Sequence, residues 1–294
     1  MTRLPGGVLL RDAVAGDPEA WLGAAHAERF GGDPALLVKL LDAGQRLPVH
    51  CHPSDDFARR HLDCPRGKTE AWVITEVYGD DPVVHLGFRH DVDAEIMAGW
   101  VERQDTEAML DVLHRIPVSA GDAVLVPAGI PHAIGAGIFL VELQQPTDLS
   151  VLLDWQGFEI DGLRDGHLGL GFEVALSCVD RSGWAVDRLA ELRRSRDEGR
   201  PVSAGVDLAL PARADSFFRA QRVRPRPEAR LEASFAILVV ITGEGVLTTD
   251  EGGSIDVRGG ETVLIPHGAG SAVLRGEVEA IRCMPPATGG DGGD

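Results

Sequence analysis

The sequence predicts a mainly β protein with two β-sandwich or β-barrel domains and added helical segments. Three observations lead there. First, short strand-type runs recur at close spacing: Phe217–Val223, Ser234–Thr242, Gly245–Thr249, Ser254–Val257, Glu261–Pro266 and Ala272–Leu274. Many short strands separated by turn residues suit a sandwich or barrel. Second, Gly121-x5-Pro127-x-Gly129-x2-His132 and Gly260-x5-Pro266-x-Gly268-x2-Ser271 share one frame, so one architecture is used twice. Third, a His-x-His pair precedes only the first copy, and serine replaces the last histidine in the second. The C-terminal copy therefore keeps the fold and lacks the ligands.

The elements follow in order. Residues 1–35, rich in Gly, Pro and Ala, read as a helical or irregular extension. The apolar run Ala35–Leu41 reads as a buried strand. Ser54 is a good N-cap for a helix to about Leu62, with Asp55 and Asp56 in its first turn. Glu70–Val77 and Val83–Phe88 read as strands. Helical periodicity over Asp91–Leu113, with Ile96, Trp100, Met109 and Leu113 as apolar points, predicts a helical insertion near 91–115. Asp122–Pro127 and Ile138–Gln144 resume the strand pattern, and the charged stretch Val186–Asp197 reads as helical. The expected organisation is an extension (1–35), a metal-binding barrel (36–157), a helical linker (158–210) and a ligand-free barrel (211–294).

Length and composition are those of a globular protein, with 294 residues, 44% hydrophobic and 25% charged. Net charge is −18, from 28 basic and 46 acidic residues. Such a surface repels nucleic acid and anionic membranes, so neither is an expected partner. No apolar run reaches the roughly eighteen residues of a membrane helix. The first residues show no signal-peptide pattern, and the expected location is the cytoplasm. Cys51, Cys64, Cys178 and Cys283 show no Cys-x2-Cys spacing and read as reduced structural thiols.

The chemistry concentrates in two segments. In Gly44-Gln-Arg-Leu-Pro-Val-His50-Cys-His52, the period-two alternation of a strand points both imidazoles one way and Cys51 the other. Glu70 adds a carboxylate. Gly121 opens a tight turn, and Pro127 and Gly129 turn the chain so that His132 faces inward. His50, His52, Glu70 and His132 are the expected metal ligands. Three imidazoles and a carboxylate suit zinc, with manganese, iron or nickel also admissible. Both halves match the two cupin signatures, Gly-x5-His-x-His and Gly-x5-Pro-x-Gly-x2-His. The resemblance implies two cupin (jelly-roll) barrels.

Four segments narrow the resemblance. They are Leu47-Pro-Val-His-Cys-His-Pro-Ser-Asp55, Gly67-Lys-Thr-Glu-Ala-Trp72, Val126-Pro-Ala-Gly-Ile-Pro-His-Ala-Ile-Gly-Ala-Gly137 and Glu142-Leu-Gln-Gln-Pro-Thr-Asp148. Together they resemble the type I mannose-6-phosphate isomerases, in a short bacterial and divergent form. The resemblance is dense from about Leu36 to Asp154. It implies a zinc-dependent aldose–ketose isomerase that interconverts mannose 6-phosphate and fructose 6-phosphate, or a related sugar, through an enediol. It implies Glu142 as the base and Lys68, two residues before Glu70, as a group that binds substrate oxygen.

Two departures stand out. His50 occupies the position of a family glutamine, which moves the site toward the three-histidine, one-glutamate set of cupin oxygenases. Leu152 occupies the position of a substrate-facing arginine, so the sugar and its phosphorylation state are open. Arg59, Arg60 and Arg66 flank the motif as other sources of positive charge. Two further readings remain: a metal-dependent cupin oxidase or dioxygenase, and a non-catalytic sugar-binding regulatory cupin. The oligomeric state is not readable.

Overall fold

The computed structural model describes residues 2–288. Three short helices open the chain: α1 (Leu10–Gly16), α2 (Pro18–Leu22) and α3 (Ala24–Phe30). Then come β1 (Leu37–Ala43), β2 (His50–Cys51), α4 (Asp55–His61), β3 (Glu70–Val77), β4 (Val83–Phe88), α5 (Ala94–Arg103), α6 (Thr106–Val112), β5 (Leu113–Pro117), β6 (Ala123–Val126), β7 (His132–Ile134), β8 (Ile138–Gln144) and β9 (Val151–Leu152). After α7 (Gly162–Asp165), α8 (Phe172–Ala175) and α9 (Val186–Ala190) follow β10 (Arg193–Arg194), β11 (Pro201–Ser203), β12 (Val206–Leu208), β13 (Arg219–Val223), β14 (Glu228–Leu231), β15 (Ala236–Thr249), β16 (Gly253–Arg258), β17 (Thr262–Ile265) and β18 (Ala272–Met284). The chain divides into two compact units: Lys39–Arg196, and Met1–Val38 with Asp197–Asp294.

The Lys39–Arg196 unit carries two five-stranded sheets, ordered β1-β8-β3-β6-β10 and β5-β4-β7-β2-β9. Their inner faces meet, since the Trp72 ring of the first lies 5.6 Å from the His132 ring of the second. Helix α4 begins where expected: the Ser54 hydroxyl accepts from the Phe57 N–H, and Asp55 and Asp56 occupy the first turn. The insertion is two helices rather than one, because Gln104 adopts a left-handed conformation between them. Its buried points are Met97, Val101 and Met109, whereas Ile96 is 53% exposed. Expected helix over Val186–Asp197 gives way after Ala190 to β10, whose Arg193 and Arg194 pair with Val124 and Ala123 at the sheet edge. A free β6 edge offers backbone partners that outweigh continued helix.

The second unit is built on an eight-stranded sheet, ordered β11-β12-β13-β18-β15-β16, with β14 on β18 and β17 on β15. The expected strands Ser234–Thr242 and Gly245–Thr249 are one strand, β15, paired with the similarly long β18 from Ile237↔Cys283 to Thr249↔Ala272. The core holds Val223, Leu238, Val240, Leu247, Leu274, Ala280 and Met284. Val14 and Leu22 of the N-terminal helices pack on Phe235, so residues 1–38 are part of this unit's packing. His267 is half-buried. Its ring fills the space left by Gly23, where a Cβ would lie 2.6 Å away.

Candidate metal centre and active site

Strand geometry places the site residues. His50 on β2 stands directly opposite His132 on β7 and Leu152 on β9. Residues in such register share a sheet face. On the other sheet, Glu70 and Trp72 of β3 face Gln144 and Glu142 of β8. Gly129 shapes the turn before β7. It has φ +86°, and its N–H donates to the His52 carbonyl at 2.7 Å. The frame read in the sequence thus ties the two histidine segments together.

His50, His52 and His132 form a cluster whose ligand atoms lie within 4.8 Å of one another. Each Nδ1 faces a backbone carbonyl at 2.8 Å: Pro48 for His50, Leu149 for His52 and Ile130 for His132. Carbonyls only accept, so each Nδ1 carries the proton and each Nε2 presents a lone pair. The Nε2 atoms of His50 and His132 nevertheless lie 3.1 Å apart. His52 Nε2 is buried without a hydrogen bond, although Glu70 Oε2 is 3.1 Å away. Glu70 Oε1 lies 3.4 Å from His132 Nε2. Buried lone pairs converging without donors are what a cation would satisfy, and the donor set fits a borderline divalent metal.

Electrostatics agree. Burial, then the neighbouring imidazoles, hold His50 well below its ordinary range. Burial lowers His52 to about 4, against an opposing pull from Glu70. Both rings are therefore neutral at pH 7, as ligands must be. Burial alone would raise Glu70, but His52 and Lys68 outweigh it and hold the carboxyl well below its usual range. The Trp72 indole N–H donates to Glu70 Oε1 at 2.9 Å and fixes the carboxylate's orientation.

Lys68 and Glu142 complete the cluster. The Lys68 ammonium is 2.8 Å from Glu70 Oε2 and 3.6 Å from Glu142 Oε1. Burial works against its charge, but the two glutamates outweigh it and raise its pKa. Glu142 is pushed up to about 7, first by burial and then by Glu70, with Lys68 and Lys39 opposing. A carboxyl poised near neutrality can both accept and release a proton.

The structure brings His50, His52, His132, Glu70, Lys68 and Glu142 together. Cys51 points away, as alternation requires. Its Sγ lies 3.4 Å from Cys178 Sγ, and that hydrogen bond, with burial, pushes the thiol up. Arg59 and Arg60 are exposed, and Arg59 pairs with Asp56. Trp155 stacks on Phe172 beside an apolar cavity of about 620 Å³ that none of the site residues lines.

Two further residues escaped the sequence reading. Lys39 on β1 binds Asp148 at 2.7 Å, and its charge reaches Glu142. The signal was a lone lysine within the apolar run Leu36-Leu-Val-Lys-Leu-Leu41. Asp154 is fully buried, accepts from the Val49 N–H and Thr106, and pairs with Arg46, anchoring the strand that carries His50.

Comparison with known proteins agrees with this architecture. Residues 211–285 match the family described as "Mannose-6-phosphate isomerase, cupin domain". The chain is 29% identical over 266 residues to the mannose-6-phosphate isomerase ManA of Bacillus subtilis, covering 88% of this chain and 76% of that one. It is 35% identical over 146 residues to the mannose-6-phosphate isomerase of Streptococcus mutans, covering 48% and 44% respectively. A crystal structure of a variant phosphomannose isomerase from Salmonella typhimurium superposes with a TM-score of 0.71 at 19% identity, over 98% of this chain and 90% of that one. The mainly β fold is that of these structures, and the cupin-domain match lies in the C-terminal part of the chain. More narrowly, the proteins it matches over most of its length are mannose-6-phosphate isomerases, to which it is similar at 29% identity or less. Among the described residues, no helix is long and apolar enough to cross a membrane.

Proposed function

We propose that this chain is a metal-dependent aldose–ketose isomerase. Its substrate is mannose 6-phosphate, with fructose 6-phosphate as the product, or a related sugar. The observation that carries the reading is a proton-transfer pair, Lys68 and Glu142, adjoining a cluster of three imidazole lone pairs and a carboxylate. His50, His52, Glu70 and His132 would hold the ion, zinc first among the borderline metals. A divalent cation there supplies Lewis acidity toward a substrate carbonyl.

The chain's own groups move the proton. Ionised Glu142 takes it from the carbon beside the carbonyl as Lys68 gives a proton to the carbonyl oxygen, leaving an enediol. Glu142 then returns its proton to the former carbonyl carbon as Lys68 regains one from the other hydroxyl. Lys68 donates to substrate oxygen and holds Glu142 in place. Trp72 keeps Glu70 aligned. Burial of Lys68, Glu70 and Glu142, each 6% exposed or less, excludes bulk water from the transfer. Leu152 lies beside His50 and offers no charge for a phosphate. Its place at the site supports a substrate that is unphosphorylated or anchored elsewhere.

One observation favours a second reading. His50 makes the set three histidines and one glutamate, which also serves metal-dependent oxidases and dioxygenases. Proton NMR of the metal-loaded protein in deuterium oxide decides, with mannose 6-phosphate, mannose and fructose as substrates. Isomerisation with deuterium incorporated at the exchanging carbon is expected. Oxygen consumption without isomerisation would establish the oxidase instead, and sugar binding without turnover would establish a sensor.

A further inference from the structure

The second barrel carries its own charged interior. Its strands pair as those of the first do: Val126 precedes Pro127 and pairs with Glu70, while Ile265 precedes Pro266 and pairs with Ala236. Two residues along, Trp72 faces Glu142 and Leu238 faces Arg282. Arg282 is therefore the counterpart of Glu142, with the charge inverted. It shares a sheet face with the core residues Leu238, Ala280 and Met284, and is 3% exposed.

Arg282 lines a cavity of about 250 Å³ together with Arg219, Gln221, His26 and His267. Its Nη1 donates to Gln221 Oε1 at 3.1 Å and its Nη2 to the Glu232 carbonyl at 2.5 Å, while its Nε is buried without a partner. Arg219 Nε donates to the Pro285 carbonyl at 3.0 Å. Neither guanidinium forms an ion pair among the described residues. The acids acting on them are Asp215 and Glu232, and Glu232 is exposed. Four other arginines of this unit are paired, Arg222 and Arg224 with Glu279, and Arg230 and Arg275 with Glu228. Burying cationic charge without a counter-charge is costly, and a guanidinium fork matches an oxyanion.

We infer that this cavity binds a small oxyanion, a phosphate or phosphomonoester, on Arg219 and Arg282. Burial, aided by Arg219, lowers Arg282 to about 10, a deficit that a bound anion would relieve. None of the residues lining this cavity belongs to the metal cluster, so its binding does not depend on that chemistry.

Isothermal titration with inorganic phosphate at constant ionic strength, on the full chain, tests this. A His132→Ala background removes phosphate binding at the metal centre. Arg282 is buried, so Arg219→Gln is the safer second change. His132→Ala should bind one phosphate per chain, and His132→Ala/Arg219→Gln should bind it about tenfold more weakly or worse. Equal binding by the two variants, or none by either, overturns the inference. Glycerol phosphate titrated alongside separates the ligands: tighter binding than inorganic phosphate assigns a phosphomonoester, and weaker binding assigns the free ion.

Discussion

The two units share a turn frame and diverge at each position where the first carries a proposed site residue. His132 in the first is fully buried, and its counterpart Ser271 is exposed. Glu70 becomes Ala236, and Glu142 becomes Arg282. The turn itself is rerouted. Positive φ falls at Gly129 in the first copy, but at Gly270 rather than Gly268 in the second, after a short 3-10 helix over His267–Ala269. The frame is therefore a folding device, and the ligands are separate additions to it.

The difference should be largest at the ligands. His132→Ala should strip bound metal and abolish activity, a loss beyond the roughly 10–100-fold typical of outer-shell changes. Metal content by atomic absorption and the isomerase assay check it together, and full activity without metal would break the comparison. Glu142→Gln should retain metal and lose about 10²–10⁴-fold in kcat. Unchanged kcat would reduce Glu142 to a supporting role.

The proposed role of Glu142 predicts pH behaviour. A base must be ionised, so turnover should rise with pH through about 7. Stability runs the other way. The folded pKa lies above the ordinary 4.5, so the protonated form favours folding. That contribution is complete below about 4.5 and is lost as pH rises through about 7. Melting curves at pH 5 and pH 8 should show a loss in the wild type that Glu142→Gln does not share.

How much of this was legible follows from sequence distance. His50, His52 and Cys51 were readable because strand alternation is local. Helix α4 was readable from Ser54 and its two aspartates. His132 was readable from the Gly121-x5-Pro127-x-Gly129-x2-His132 frame, and Glu70 only through the family resemblance of Gly67–Trp72. Lys39 was not legible, since a single lysine in an apolar run does not say which sheet face will hold it. Arg282 was hidden more deeply, because its meaning depends on pairing among β13, β15 and β18 and on carboxylates that form no ion pair with it among the described residues. The edge strand β10 was missed because its stability comes from a partner some seventy residues away.

Leu152→Arg sharpens the substrate side. Position 152 stands beside His50, and an arginine there gains a bidentate oxyanion contact. Its kcat/KM on a sugar phosphate, relative to the free sugar, should rise about tenfold. An unchanged ratio would place substrate phosphate elsewhere.

The smallest effect should come from restoring the missing histidine. Ser271→His returns the residue that the frame holds in the first barrel, yet three things oppose a new metal site. Ser271 is exposed, and its N–H is held by Asp250 Oδ2 at 3.0 Å. The paired strand offers Ala236 where the first barrel offers Glu70. No His-x-His segment precedes the second frame. One imidazole at a solvent-facing turn lacks the converging donors a structural or catalytic site needs. Metal content should stay at its wild-type value, and stability should shift by no more than about 0.5 kcal/mol. A second equivalent of metal in Ser271→His would mean that the frame itself organises ligands, and the separation of fold from chemistry would fail.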